Sequence, residues 1–179
     1  MKHLIVTLLV TFVAASAVAQ GTVAFANTSG TKLIDGSTGG PPETADYTIG
    51  LYWAAGSDQA ADALALADGG TTVNRIAPSF AKGLFNGGDP FAIAGADETA
   101  PITVEVRVWD TASGGWDNAL MAGRSGVLNV TTGGGAAAAP ALFGEGLLQS
   151  ITITAVPEPT SFALAGLGAA ALLAYRRRK

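Results

Sequence analysis

The 179-residue chain carries 10 Lys and Arg against 14 Asp and Glu, a formal net charge of −4, and no cysteine. Its one histidine is His3, inside a leader-like segment, so a Ser-His-Asp triad, a cysteine nucleophile and His-ligated zinc are excluded from the body. Between Gln20 and Val156, five cations face 13 acids; that net charge of −8 repels phosphate backbones and excludes nucleic acid as a partner.

The chain opens MKHLIVTLLVTFVAASAVAQ. Lys2 supplies a positive start, Leu4 to Val13 is an apolar run of about ten residues, and Ala17 and Ala19 bracket a small-x-small cleavage site. Residues 1–19 read as a signal peptide, cut before Gln20, for the Sec machinery and signal peptidase. The run is short of the roughly 20 apolar residues that a bilayer span needs.

Residues 20–155 read as the body, and its segments alternate at period two, the mark of half-buried strands. Thr22–Ala26 is a weak candidate. Gly39, Gly40, Pro41 and Pro42 then break regular structure. Tyr47–Trp53 is a clear strand, with Tyr47, Ile49, Leu51 and Trp53 on one face. Ser57–Ala67 has N-cap residues at Ser57 and Asp58 and good helix formers after them. Its Leu64 and Leu66 are spaced as in a strand, so it reads as a short helix or an irregular connection.

Gly69-Gly70 is a further break, followed by a weak strand at Thr72–Ile76. Asn86 to Pro90 is a turn signal before another weak strand at Phe91–Ala94. Pro101–Trp109 is the strongest strand of all. Ile102, Val104, Val106 and Val108 face inward, while Thr103, Glu105, Arg107 and Trp109 are expected on the wet face. Val127–Thr131 is weak, Gly133 to Gly135 is a flexible turn without a phosphate-loop lysine, and Gln149–Val156 places Ile151 and Ile153 inward. Short strands punctuated this often indicate an all-β body, an antiparallel β-sandwich of jelly-roll-like type.

Two chemistries remain for the body. Trp109, Asp110, Trp116 and Asp117 bound one loop, and paired acids with tryptophan faces suit sugar binding or a two-carboxylate glycoside hydrolase. The bland alternative is a hairpin loop whose aspartates make turns and whose tryptophans cover a sheet edge. No D-x-D-x-D-G loop is present, so no calcium site, other metal or cofactor is expected.

The chain ends VPEPTSFALAGLGAAALLAYRRRK. Pro157 and Pro159 stop the last strand because they remove two ladder donors. Ser161 to Tyr175 is apolar; as a helix its fifteen residues reach about 22 Å, short of the roughly 30 Å hydrocarbon core. Snorkelling by Arg176, Arg177, Arg178 and Lys179, with Thr160 at the other headgroup, makes up the difference. This is the expected single transmembrane helix, about residues 160–175, with its basic end in the cytoplasm and the body outside.

Val156, Pro157, Glu158, Pro159 and Thr160, the apolar run and the terminal basic cluster together resemble the PEP-CTERM sorting tail of Gram-negative bacteria. The resemblance covers about the last 24 residues. It implies recognition and cleavage by an exosortase at the Pro-Glu-Pro motif. It also implies transient anchoring in inner-membrane lipid, and species that make exopolysaccharide and biofilm matrix. Val106-Arg107-Val108-Trp109-Asp110-Thr111 is similar to a motif of small proteins bearing such tails. The expectation is a non-enzymatic protein, exported to the cell surface or beyond, in contact with exopolysaccharide. The alternative is a carbohydrate-binding module or weak hydrolase.

Overall fold

Alternating apolar residues make strands, and eight of them order as follows in the computed structural model, which describes residues 20–43, 46–74, 82–157, 167 and 176. They are β1 (Gln20–Ala26), β2 (Ile34–Asp35), β3 (Tyr47–Ala55), β4 (Ala65–Asn74), β5 (Asn86–Asp97), β6 (Pro101–Asp110), β7 (Met121–Thr131) and β8 (Thr152–Ala155). The signal peptide with Ala17 and Ala19 lies outside the described residues. So do Ile76 and the tail's Glu158, Pro159, Thr160, Arg177, Arg178 and Lys179.

The body is all-β, in two sheets of unequal size. The large sheet runs β2-β8-β7-β6-β3-β4, and the small one pairs β1 with β5. Pairing is antiparallel except where the two residues of β2 meet β8 in parallel. Six and two is not the comparable partition of an eight-stranded jelly roll. Residues 133–141 explain the deficit. They run beside β1, with Thr22 N donating to Gly133 O at 3.0 Å and Ala24 N to Pro140 O at 2.8 Å. Their glycines and proline hold this to isolated bridges.

The apolar core lies between the sheets. Ile102, Val104, Val106 and Val108 of β6 are all buried, as the alternation requires, and so are Tyr47, Ile49 and Leu51 of β3 and Ile151 and Ile153 at β8. They meet Val23 and Phe25 of β1 and Ile93 and Ala96 of β5. Fully burying such a side chain contributes about 1.5–3 kcal/mol. Phe25 stands edge-on to Phe85 and Phe91, at centroid separations of 5.6 and 5.9 Å. A Cβ at Gly87 would strike the Phe25 ring, so glycine is required there.

Several expectations need correction. Of the two readings of Ser57–Ala67, the short helix falls and the irregular connection stands: a 3-10 turn covers Ala61–Ala63 and β4 begins at Ala65. Ala60, not Ser57 or Asp58, stands at the turn's start, and no side chain caps it. Gly69-Gly70 does not end a strand. It forms a bulge inside β4, where the partners of Gly50 and Tyr52 are Thr71 and Leu66. Asn86 to Pro90 likewise belongs to β5, against an irregular stretch of β1. The second face of β6 is not wet either: Thr103, Glu105 and Trp109 are all buried.

Candidate functional site

What covers that second face is a thin polar and aromatic layer. On a strand, residues two apart share a face, so Glu105 and Arg107 are neighbours. Arg107 Nε donates to Glu105 Oε2 at 2.6 Å, and its Nη2 to Ala61 O at 2.5 Å. Tyr52 of β3 lies under the guanidinium at 4.0 Å from the ring centroid, and Trp116 stands 5.4 Å away. Arg124 of β7 approaches the far carboxylate oxygen at 4.0 Å. Glu105 is thus a buried carboxylate, 1% exposed, held by cations on the outer side of the sheet. Desolvation is the largest influence on the Tyr52 hydroxyl and raises its pKa above the ordinary value.

The segment before β4 is tied down to the same face. Thr103 Oγ1 donates to Gly56 O at 2.8 Å and accepts from Gln59 N at 3.2 Å. Asn129 Nδ2 donates to Asp58 Oδ1 at 2.7 Å. A lone strand pattern cannot announce a cover supplied by a segment 44 to 47 residues away. The sequence carries the pair as opposite charges two apart on one strand face, expected in water, with Glu105 found buried.

The four loop residues separate into different roles. Trp109 is 5% exposed. Its ring packs over Gly50, where a Cβ would approach Trp109 Cζ3 to 2.8 Å. Asp110 closes the loop: it accepts from Ser113 Oγ, from Leu120 N at 3.0 Å and from Met121 N at 2.9 Å. Burial pushes its carboxyl pKa up, but these hydrogen bonds outweigh that and hold it below the ordinary value. Asp117 is exposed on the 3-10 turn Trp116–Asn118. No hydrogen bond among the described residues joins it to Asp110.

Trp116 is half-buried and stands between two grooves. One, of about 400 Å³, is lined by Tyr52, Leu66, the edge of Trp109 and Trp116, with Thr48, Thr71 and Thr111 around them. The other, of about 370 Å³, is lined by Trp116, Arg124, Thr152, Thr154 and Val156. Aromatic surface with hydroxyls beside it can stack on and hydrogen-bond a sugar ring. Among the described residues, no three His, Cys, Asp or Glu are placed to hold a metal ion.

The second groove marks the exit of the tail. Met121 pairs with Ala155, and Val156 N donates to Leu120 O at 2.8 Å, so the sheet holds the chain until Pro157. Of the expected sorting residues, Val156 and Pro157 are described. Farther on, Leu167 and Arg176 are α-helical and exposed. Among the described residues no helix is long and apolar enough to cross a membrane.

Compared with protein-family models, residues 155–179 match the PEP-CTERM protein-sorting motif. No curated protein and no solved structure matches the chain.

Proposed function

We propose that this bearer of a PEP-CTERM sorting tail is an exported envelope protein, anchored for a time in the inner membrane and released or attached at the surface by an exosortase. The carrying observation is the motif at residues 155–179, which begins on the last residue of β8. A PEP-CTERM motif marks a protein for export and for processing by an exosortase. Its apolar run, Ser161 to Tyr175, serves as the anchor, with Arg176 to Lys179 held in the cytoplasm. The leader at residues 1–19 starts the export. The body acts by contact, as an acidic β protein in an exopolysaccharide matrix, and not as an enzyme.

The test is intact-mass spectrometry of the protein from cell fractions, with and without the exosortase gene. The expected mature protein begins at Gln20 and has lost its basic end. Without the exosortase, the same protein keeps residues 157–179 and stays with the membrane. Full-length protein confined to the cytoplasm in both strains overturns the reading.

A second reading concerns the body alone. The groove between Tyr52, Leu66 and Trp116, with three threonine hydroxyls around it, favours a glycan contact over hydrolysis, because Asp110 is engaged in closing its own loop. A glycan array probed with wild type and Trp116→Ala tests it. Binding that disappears in the variant supports a glycan site, and a flat array for wild type removes it.

A further inference from the structure

The tail leaves the body from an apolar corner. Leu120 and Val156 are 56% and 41% exposed, and the hydrogen bond between them keeps the two together. Val156 shares a groove with Trp116 and Arg124, and the Arg124 side chain is 62% exposed. The corner therefore offers two aliphatic side chains, the half-buried ring of Trp116 and a cation, at the point where the anchor begins. Tryptophan and arginine beside aliphatic side chains are the residues that settle at a membrane–water interface.

Chain length then decides where this corner sits. Four peptide steps separate Pro157 from Ser161, and a fully extended chain covers at most about 14 Å in four steps. The headgroup layer on one side of a bilayer takes about 5–8 Å of that. The corner is therefore held within about 9 Å of the headgroup surface.

We infer that Leu120, Val156, Trp116 and Arg124 form a membrane-contact face, lodged in the headgroup layer of the outer leaflet while the tail is inserted. The inference rests on the membrane reading of the tail given above. It makes the membrane set the body's orientation before cleavage. The groove between Trp116 and Tyr52 then lies beside the membrane, whereas Val127, seven residues beyond Leu120 and three beyond Arg124, is carried away from the corner along β7 at about 3.3 Å per residue.

The natural absence of cysteine makes single-cysteine labelling unambiguous. Leu120→Cys, Val156→Cys, Val127→Cys and Leu167→Cys are each labelled with an environment-sensitive fluorophore in the full chain. The chains are reconstituted in liposomes of phosphatidylethanolamine with a minority of phosphatidylglycerol. Nitroxide lipids labelled at the headgroup or in mid-chain then report depth. Val127 is an equally exposed aliphatic control, at 44%.

The expected result is several-fold stronger headgroup-level quenching at positions 120 and 156 than at 127, with mid-chain quenching at 167. Quenching at 167 with positions 120 and 127 alike overturns the contact face and leaves the anchor standing. No quenching at 167 removes both. Shielding at 120 that arises only when exosortase is co-reconstituted gives the face to the enzyme and overturns the lipid assignment.

Discussion

Arg107 is where the outer face converges: one guanidinium pairs with Glu105, donates to Ala61 O and stacks on Tyr52. Arg107→Ala leaves a buried carboxylate with only the distant Arg124. We expect a loss of about 3–5 kcal/mol in urea denaturation. Replacing the pair together, as Glu105→Leu with Arg107→Met, is expected to cost much less, because no unpaired charge remains. Equal losses for single and double replacement would show that the pair is not what Arg107 supports. Asp110 makes a prediction in pH. Its folded-state pKa lies below the ordinary value, so its contribution is complete above an unfolded pKa of about 3.9 and fades as pH falls through the folded value. Asp110→Ala should destabilise by about 2 kcal/mol at neutral pH. The gap from wild type should close only below about pH 4. Thermal melts across that range check both.

Among elements, β6 and β3 were the most legible, because one run of alternating β-branched and aromatic residues both names the strand and chooses the inward face. Ile151 and Ile153 were read correctly for the same reason. β4 was legible only at its end, where Thr72–Asn74 fall in the weak strand read at Thr72–Ile76; Ala and Leu at Ser57–Ala67 suit helix as well as strand, and the bulge depends on pairing with β3. The two residues of β2 exist only because Ile34 N reaches Ile151 O at 2.9 Å, a contact no local pattern reveals. In the loop, the roles of the four named residues followed from depth, which spacing does not encode. Trp109 packed over Gly50, and Tyr52 joined Trp116 from a strand 64 positions away. Short β8 holds only four residues, so its anchoring depends on Ile153. Ile153→Ala should cost about 2–5 kcal/mol. It should also raise protease sensitivity near Val156 more than at Gly39, measured by limited digestion and mass spectrometry. Uniform sensitisation would mean β8 is not a separately yielding element.

For the molecule as a whole, the sheet ends at the same residue at which the sorting motif takes over. The hydrogen bond from Val156 N is the last one the sheet makes before Pro157. A chain of Gln20 to Val156 is therefore expected to melt within a few degrees of the full chain, whereas ending at Ile151 should abolish cooperative unfolding by removing Ile153 from the core. Scanning calorimetry in detergent compares the three. Equal stability of the shortest chain would show that β8 adds nothing. The all-β character and the sorting tail were legible at this scale because both are written in contiguous residues; the six-and-two division of strands was not.

The cover of the large sheet's outer face has one more consequence. It is built from connections, residues 56–64 and 111–118, that cross the outer side of the sheet and fasten through Thr103, Arg107 and Asp110. New sequences can therefore be grafted onto those connections with little penalty to the hydrophobic interior, provided the three fastening side chains, buried Leu64 and half-buried Trp116 stay. Such a frame suits surface variation: its display side can drift or be re-engineered while the scaffold beneath keeps its shape.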